Sequence, residues 1–296
     1  MTIASQVHLL CCPDDRANLA AGEGCLECSG CGRQFAVKRE RVVELLPTSP
    51  PEVLDSRDIT HGYADAYAGL LSQPLALDKT AQPWEVGHSL GHRVFLAEQL
   101  RAVRGALGHG RLACLADVSA GAGGLTFALR HSADVVLHCD LDAASISAGW
   151  QRAEREGAEN LLFVRCDYLR LPFRAQALQG VVSTDTLHRG PTHEQEVLKE
   201  IRRVMDPRGV AVVDFKAVRR VYRKDPRLRF YRPDEIRDIL RAAGFRRWRL
   251  LPFGCLPTRL LFSRYLFRAQ APLAWVLGPT RYLGILEGGP EEGGAP

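Results

Sequence analysis

From Leu112 onward the chain alternates short apolar runs with amphipathic ones, and this alternation constrains the fold more than any other feature. Leu112 to Val118 predicts a strand, Gly124 to Arg130 the start of a helix, "DVVLHCD" a second strand, "AASISAGWQRAEREG" a second helix and "NLLFVRCD" a third strand. "QGVVSTD" follows as a fourth strand, "HEQEVLKEIRRVM" as a helix, "GVAVVDF" as a fifth strand and "RPDEIRDILRAAG" as another helix. Strands that are apolar throughout are buried on both faces, and the helices between them supply the cover. The expected fold is α/β, a Rossmann-like doubly wound parallel sheet that binds ligands at the carboxyl ends of its strands.

The turn after the first strand sharpens that expectation. In "LADVSAGAGG", Asp117 ends the strand and Ser119, Gly121, Gly123 and Gly124 form a turn bare enough to bring backbone close to a ligand. No GKS or GKT follows, which disfavours a phosphate-cradling loop, and the dinucleotide GxGxxG pattern fits poorly. Asp140 ends the second strand, where an acidic side chain accepts hydrogen bonds from ribose hydroxyls, and Asp167 ends the third, placed to meet an adenine edge.

In this order the motifs resemble those of class I methyltransferases that use S-adenosyl-L-methionine. "DVSAGAG" stands where that family has DxGxGxG, and "HCDLD", "VRCDYLRLPF", "GVVSTDTLHR" and "EIRRVMDPRGVAVVDF" follow at the family's positions, covering roughly residues 85 to 255. The resemblance implies that Asp117, Ser119, Gly121 and Gly123 lie along the methionine part of the cofactor. It also implies that Asp140 binds the ribose, that Leu141 lies against the adenine, that Asp167 with Tyr168 reads its edge, and that Ser183 borders the site. Ser119 replaces the first glycine, which suits a residue whose φ is negative. "MDPRG" replaces the family's usual turn, away from the cofactor. A methyl sulfonium donor is already activated, so such an enzyme chiefly aligns its acceptor and excludes water. His188, in the loop after the fourth strand, is the candidate base for an acceptor that must lose a proton.

The front of the chain has a different texture. Nine cysteines in a chain read as cytoplasmic argue for buried thiols and a metal site where they cluster, and they cluster at residues 11 to 31. "CSGCG" places Cys28 and Cys31 as one half of a tetrahedral zinc site. The other half, "CPDD", offers Cys12 and then Asp15, so the fourth ligand is a carboxylate, Cys25, Cys11 or absent. Residues 8 to 47 resemble the zinc ribbons of some methyltransferases, including bacterial ribosomal RNA guanine methyltransferases, which implies Zn2+ held by Cys12, Asp15, Cys28 and Cys31. The expected organisation is a ribbon-like subdomain over 1–50, a linker and helical lid over 51–110, the catalytic domain over 111–288 and a disordered tail over 289–296. A helix is expected over 89–107, and His61, Tyr63, Tyr67, His88 and His92 are candidates for a pocket wall.

The acceptor is less legible. With 46% hydrophobic and 25% charged residues, a net charge of +5, no cationic leader at its start and no apolar run of membrane-spanning length, the chain reads as an ordinary globular protein. "LPTRLLFSRYLFRAQAPLAWVLG" reads as a helical insertion that walls an apolar pocket, touches a membrane or completes the core, and it also permits a homodimer. A small, natural-product or lipid-like acceptor is the leading expectation. The basic run between Lys216 and Arg249 supports RNA as the alternative, and the departures at Asp15 and Ser119 support a non-catalytic binding protein as the third.

Overall fold

A computed structural model describes residues 1–49, 69–70, 72–77, 90–108, 110–188, 193–218, 228–256 and 260–289. The candidates His61, Tyr63, Tyr67 and His88, the side chain of His92 and most of the expected linker and tail lie outside the described residues.

Five parallel strands form the centre: β5 (Leu112–Val118), β6 (Ala133–Asp140), β7 (Leu161–Cys166), β8 (Leu178–Ser183) and β9 (Met205–Lys216), in spatial order β7-β6-β5-β8-β9. All six residues of β7 are buried, the apolar run Leu161 to Val164 together with Arg165 and Cys166. The order reverses between β5 and β8, which opens a crevice at their carboxyl ends. Two further strands, β10 (Trp248–Phe253) and β11 (Arg281–Glu287), close the far edge, with β11 antiparallel to both β9 and β10.

The helices are α1 (Leu90–Leu107), α2 (Gly124–Leu129), α3 (Ala143–Glu156), α4 (Glu194–Val204) and α5 (Pro233–Ala242). The apolar positions of α4, Val197, Leu198, Ile201 and Val204, recur at helical spacing and are buried against the sheet. Helix α3 is capped by Asp142, whose carboxylate accepts from the N–H groups of Ala144 and Ser145, and it ends at Gly157 in the left-handed region.

The first 45 residues fold as four short strands, β1 (Leu19–Ala21), β2 (Cys25–Cys28), β3 (Gln34–Lys38) and β4 (Val42–Leu45), paired as an antiparallel meander. The meander does not hang free. Strand β4 pairs in parallel with β7 and extends the sheet to eleven strands, covering what would otherwise be an exposed edge. Leu10, Leu26, Phe35 and Leu45 share one core with Val164, Leu171 and Phe173. Arg16 reaches Glu200 on α4 at 2.9 Å, and Glu200 also accepts the Leu171 N–H and the Arg203 guanidinium. Arg165 of β7, almost fully buried, donates to Glu44 of β4 and to the carbonyls of Leu70, Gln73 and Leu141, binding the ribbon to the segment beside the crevice.

The insertion between β10 and β11 forms α6 (Arg264–Ala269) and α7 (Ala271–Leu277). Phe267 of α6 packs edge-on against Phe95 of α1 and tilted against Phe253 of β10, with Leu261 and Leu283 around them. Of the three roles expected for this segment, its inward side completes the core.

Candidate functional site

The crevice holds a cavity of about 390 Å3 lined by Ser119, Gly121, Asp140, Leu141, Tyr168 and the loop Thr184 to Thr186, with Leu70 and Ser145 among the rest of its wall. That volume falls within the roughly 300–1,000 Å3 of cofactor and small-molecule sites. The turn from β5 builds its floor. Ala120 donates to the Cys139 carbonyl at 2.9 Å and Gly121 donates to Asp140 Oδ2 at 2.7 Å, so β6 fixes the turn's path. Gly121 has a φ of 55°, and a side chain there would meet no atom within 4 Å. Its bareness serves the conformation and the open space above it. Gly123 is bare for another reason: at φ 83°, an added Cβ would lie 2.9 Å from the Phe127 ring. Ser119 departs from expectation. Its φ is 60°, in the left-handed region, so serine sits where glycine would be unstrained.

Asp140 is clamped rather than free. Its Oδ1 accepts from the Asp142 N–H at 2.9 Å and its Oδ2 from Gly121. A carboxylate has about four acceptor positions, so these two bonds do not exhaust it, and Asp140 lines the cavity. Burial pushes its carboxyl up to about 6, with the backbone N–H groups of Asp142 and Gly121 pulling the other way. Leu141 and Tyr168 both line the cavity.

Four residues expected in the site are placed behind it, as is Gly123. Asp117 is buried and accepts from Thr126 Oγ1 at 2.6 Å, while His138 Nδ1 lies 3.0 Å from the same hydroxyl. With the threonine proton directed to Asp117, His138 donates from Nδ1, giving a chain His138 to Thr126 to Asp117 beneath the turn. Burial pushes Asp117 up to about 7 and His138 down to about 4. Asp167 is buried and caps the 3-10 turn at Tyr168–Arg170 through the Leu169 N–H, so Tyr168 rather than Asp167 reaches the cavity. Ser183 is buried and donates to Thr186 Oγ1 at 2.9 Å. His188 is 1% exposed and does not line the cavity; its Nε2 lies 3.6 Å from Asp185 Oδ1.

Asp185 is the residue that sequence reasoning missed. It lines the cavity at φ 60°, held there because its N–H donates to Asp214 Oδ1 at 2.7 Å. Arg281 at the start of β11 bonds the other oxygen of Asp214 and approaches Asp185 Oδ1 at 2.6 Å. Burial would raise the Asp185 carboxyl, but Arg281 outweighs it, with help from His188 and Lys216, and holds it below the usual carboxylate range. Tyr231 braces the loop by donating to the Leu187 carbonyl at 2.7 Å. Arg281 lies 96 positions from Asp185 in the chain, so only strand pairing brings them together.

A second cluster sits in the ribbon. One ligand atom each from Cys12, Asp15, Cys28 and Cys31 lies within 4.8 Å of every other. Cys12 Sγ and Cys31 Sγ are 3.7 Å apart, and Cys28 Sγ is 3.4 Å from Asp15 Oδ1. Two sulfurs bound about 2.3 Å from one tetrahedral zinc ion lie about 3.7 Å apart, so the spacing fits that ion. The N–H groups of Gly30 and Cys31 point at Cys28 Sγ at 3.3 and 3.4 Å, as they would to support a thiolate. A Cβ on Gly30 would come within 2.5 Å of Asp15 Oδ2, so the glycine admits the carboxylate. Of the candidates for a fourth ligand, Asp15 lies in the cluster, whereas Cys11 and Cys25 do not.

A parallel sheet in this order, with a final antiparallel strand and a glycine turn facing an acidic strand end, defines the class: a Rossmann-like methyltransferase fold. Residues 116–213, from the end of β5 into β9, match the family described as a methyltransferase domain, Methyltransf_11. No curated protein sequence matches the chain. Among solved structures it is similar to phosphoethanolamine N-methyltransferase 2 of Haemonchus contortus in complex with phosphomonomethylethanolamine and S-adenosylhomocysteine, with a TM-score of 0.52, 14% identity and coverage of 81% of this chain and 60% of that one. A second structure of that enzyme, with S-adenosyl-L-methionine, matches at TM-score 0.52 and 14% identity over 83% of this chain and 61% of that one. A complex between the Haloferax volcanii Trm112 methyltransferase activator and its putative methyltransferase matches at TM-score 0.50 and 17% identity, over 67% of this chain and 92% of that one. The chain spans about 60% of the length of the Haemonchus contortus enzyme. At these identities the likeness is one of fold.

Proposed function

We propose that this chain transfers a methyl group from S-adenosyl-L-methionine to a small-molecule acceptor that enters at the Thr184 to Thr186 side of the cavity. The observation that carries the reading is the cavity itself: at one end the bare turn at Gly121 and the acceptor positions of Asp140, at the other a carboxylate held ionised by Arg281. The cofactor, when bound, supplies a methyl group on a positively charged sulfur. Asp140 orients the ribose and Leu141 and Tyr168 flank the adenine. Asp185 accepts the N–H or O–H of the acceptor and directs its lone pair, while Arg281 and Asp214 fix the position of that carboxylate. His188 lies behind Asp185 and acts through it rather than on the acceptor.

A small acceptor is favoured over RNA by the state of the basic run. Arg229 pairs with Glu194 and Glu235, Arg232 with Asp234, Arg241 with Asp238 and Arg247 with Glu287, so several of its described cations are already matched by carboxylates. We also propose that Cys12, Asp15, Cys28 and Cys31 hold one zinc ion with a structural role, since a site closed by four protein ligands leaves no position for substrate.

The test is transfer of labelled methyl from S-adenosylmethionine into an extract divided into RNA, protein and small-molecule fractions. Label in the small-molecule fraction, lost in Asp185→Ala and retained in His188→Gln, supports the reading. Label in RNA overturns the acceptor class. Absence of cofactor binding to the folded chain overturns the enzyme reading altogether.

A further inference from the structure

We propose that the α6–α7 insertion is a docking surface for an anionic lipid bilayer. Eight large hydrophobic side chains are exposed among the described residues, and five of them, Leu260, Phe262, Tyr265, Leu273 and Val276, fall within this one insertion. Phe262, Tyr265 and Val276 are 65%, 67% and 75% exposed and take no part in the cluster that Phe267 forms with Phe95, Phe253, Leu261 and Leu283. Scattered singly such residues mean little, but concentrated on one element they mark an interaction site.

The charges around them choose the partner. Helix α6 turns Phe267 inward and presents Arg264, Tyr265 and Arg268 outward, and the adjoining face of α1 adds Arg93 and Arg101. These four arginines and Tyr265 line a groove of about 710 Å3 between the two helices, in which Glu98 is the one carboxylate among the described residues. Arg264 lies over the Tyr265 ring, 5.1 Å from its centre, and Arg268 bonds Glu98 at 3.1 Å. Aromatic and aliphatic tips set among arginines reproduce the composition of interfacial anchors: the apolar groups enter the acyl boundary while the guanidinium groups meet lipid phosphates. A second copy of the chain would instead bring two arginine clusters face to face. The arginine excess is therefore complementary to a negative surface and not to itself.

The experiment is sedimentation of the full chain with phosphatidylcholine vesicles, with and without about 30% phosphatidylglycerol, at low and high salt. Binding is expected with the anionic vesicles, at least tenfold weaker to the neutral ones and reduced by salt. Phe262→Ser with Val276→Ser, and separately Arg264→Glu, should each lower the bound fraction severalfold with circular dichroism unchanged. Arg237→Glu, the same charge change on α5, should leave it as it was. No binding to anionic vesicles, equal binding to both kinds, or binding indifferent to the insertion variants overturns the proposal. A dimer in light scattering that Phe262→Ser with Val276→Ser dissociates assigns the surface to a second copy and overturns it too.

Discussion

Gly121 and Asp140 are joined by a 2.7 Å hydrogen bond from the glycine N–H to Oδ2, so the carboxylate proposed to meet the ribose is also the clamp on the turn that lines the cavity. Asp140→Ala should therefore weaken S-adenosylmethionine binding by about 1–3 kcal/mol, the cost of a lost charged hydrogen bond. Because this carboxyl titrates at about 6, affinity in the parent protein should fall as pH drops from 7 to 5, and the variant should lose that dependence. Calorimetric titration across this range checks both; an affinity in Asp140→Ala equal to the parent's would refute the ribose assignment.

Ser119 carries strain that glycine would not. At φ 60° an L side chain costs roughly 1–2 kcal/mol, part of which is returned by the greater freedom of glycine in the unfolded chain. Ser119→Gly should stabilise the protein by about 0.5–1 kcal/mol, measured by urea unfolding. A loss of stability would mean that the hydroxyl does something the backbone angle does not reveal.

The chain from His138 through Thr126 to Asp117 gives stability a pH signature. Asp117 is raised to about 7 in the fold, so its contribution is complete below about pH 4 and is lost as pH rises through 7. His138 works the other way: depressed to about 4, it contributes fully above about pH 6.5 and loses that as pH falls. Asp117→Asn keeps an acceptor for Thr126 and removes the first effect alone. Relative to the parent it should gain little at pH 4.5 and up to about 3 kcal/mol at pH 7, from about 1.4 kcal/mol per pH unit. Unfolding curves at the two pH values decide, and a pH-independent difference between the proteins would show that Asp117 is not buried as a shifted acid.

The ribbon makes a prediction about metal. The purified chain should contain one zinc ion per molecule by elemental analysis. Cys28→Ser should abolish that content and destabilise the whole protein, since β4 pairs with β7 and the two regions share a core. Asp15→Cys should retain zinc and make it harder to chelate, thiolate being the softer ligand. Full occupancy in Cys28→Ser would remove the site as drawn.

Much of the architecture was legible in the order of residues. The five central strands, the helices between them and the helix at α1 follow from local apolar periodicity, and each observed boundary falls within a few residues of the pattern. The turn at Ser119 to Gly124 and the acidic strand end at Asp140 are also local features, a few bonds apart from the backbone they serve, so this part of the cavity lining was readable as a motif. The knuckle at Cys28 and Cys31 was readable for the same reason.

What the chain order could not decide is which way side chains face and which distant segments meet. Asp117, Asp167 and Ser183 stand at motif positions, yet each is buried in the interior, where it bonds Thr126, the Leu169 N–H and Thr186 respectively. Asp15 stood among the ligand candidates in the sequence, but only the packed meander brings it beside Cys12, Cys28 and Cys31, and Asp185 meets its arginine only because β11 lies beside β9 and delivers Arg281. Local sequence determined the elements because periodicity acts over a few residues. The site's chemistry depended on contacts across scores of residues, and only the packed sheet supplies those.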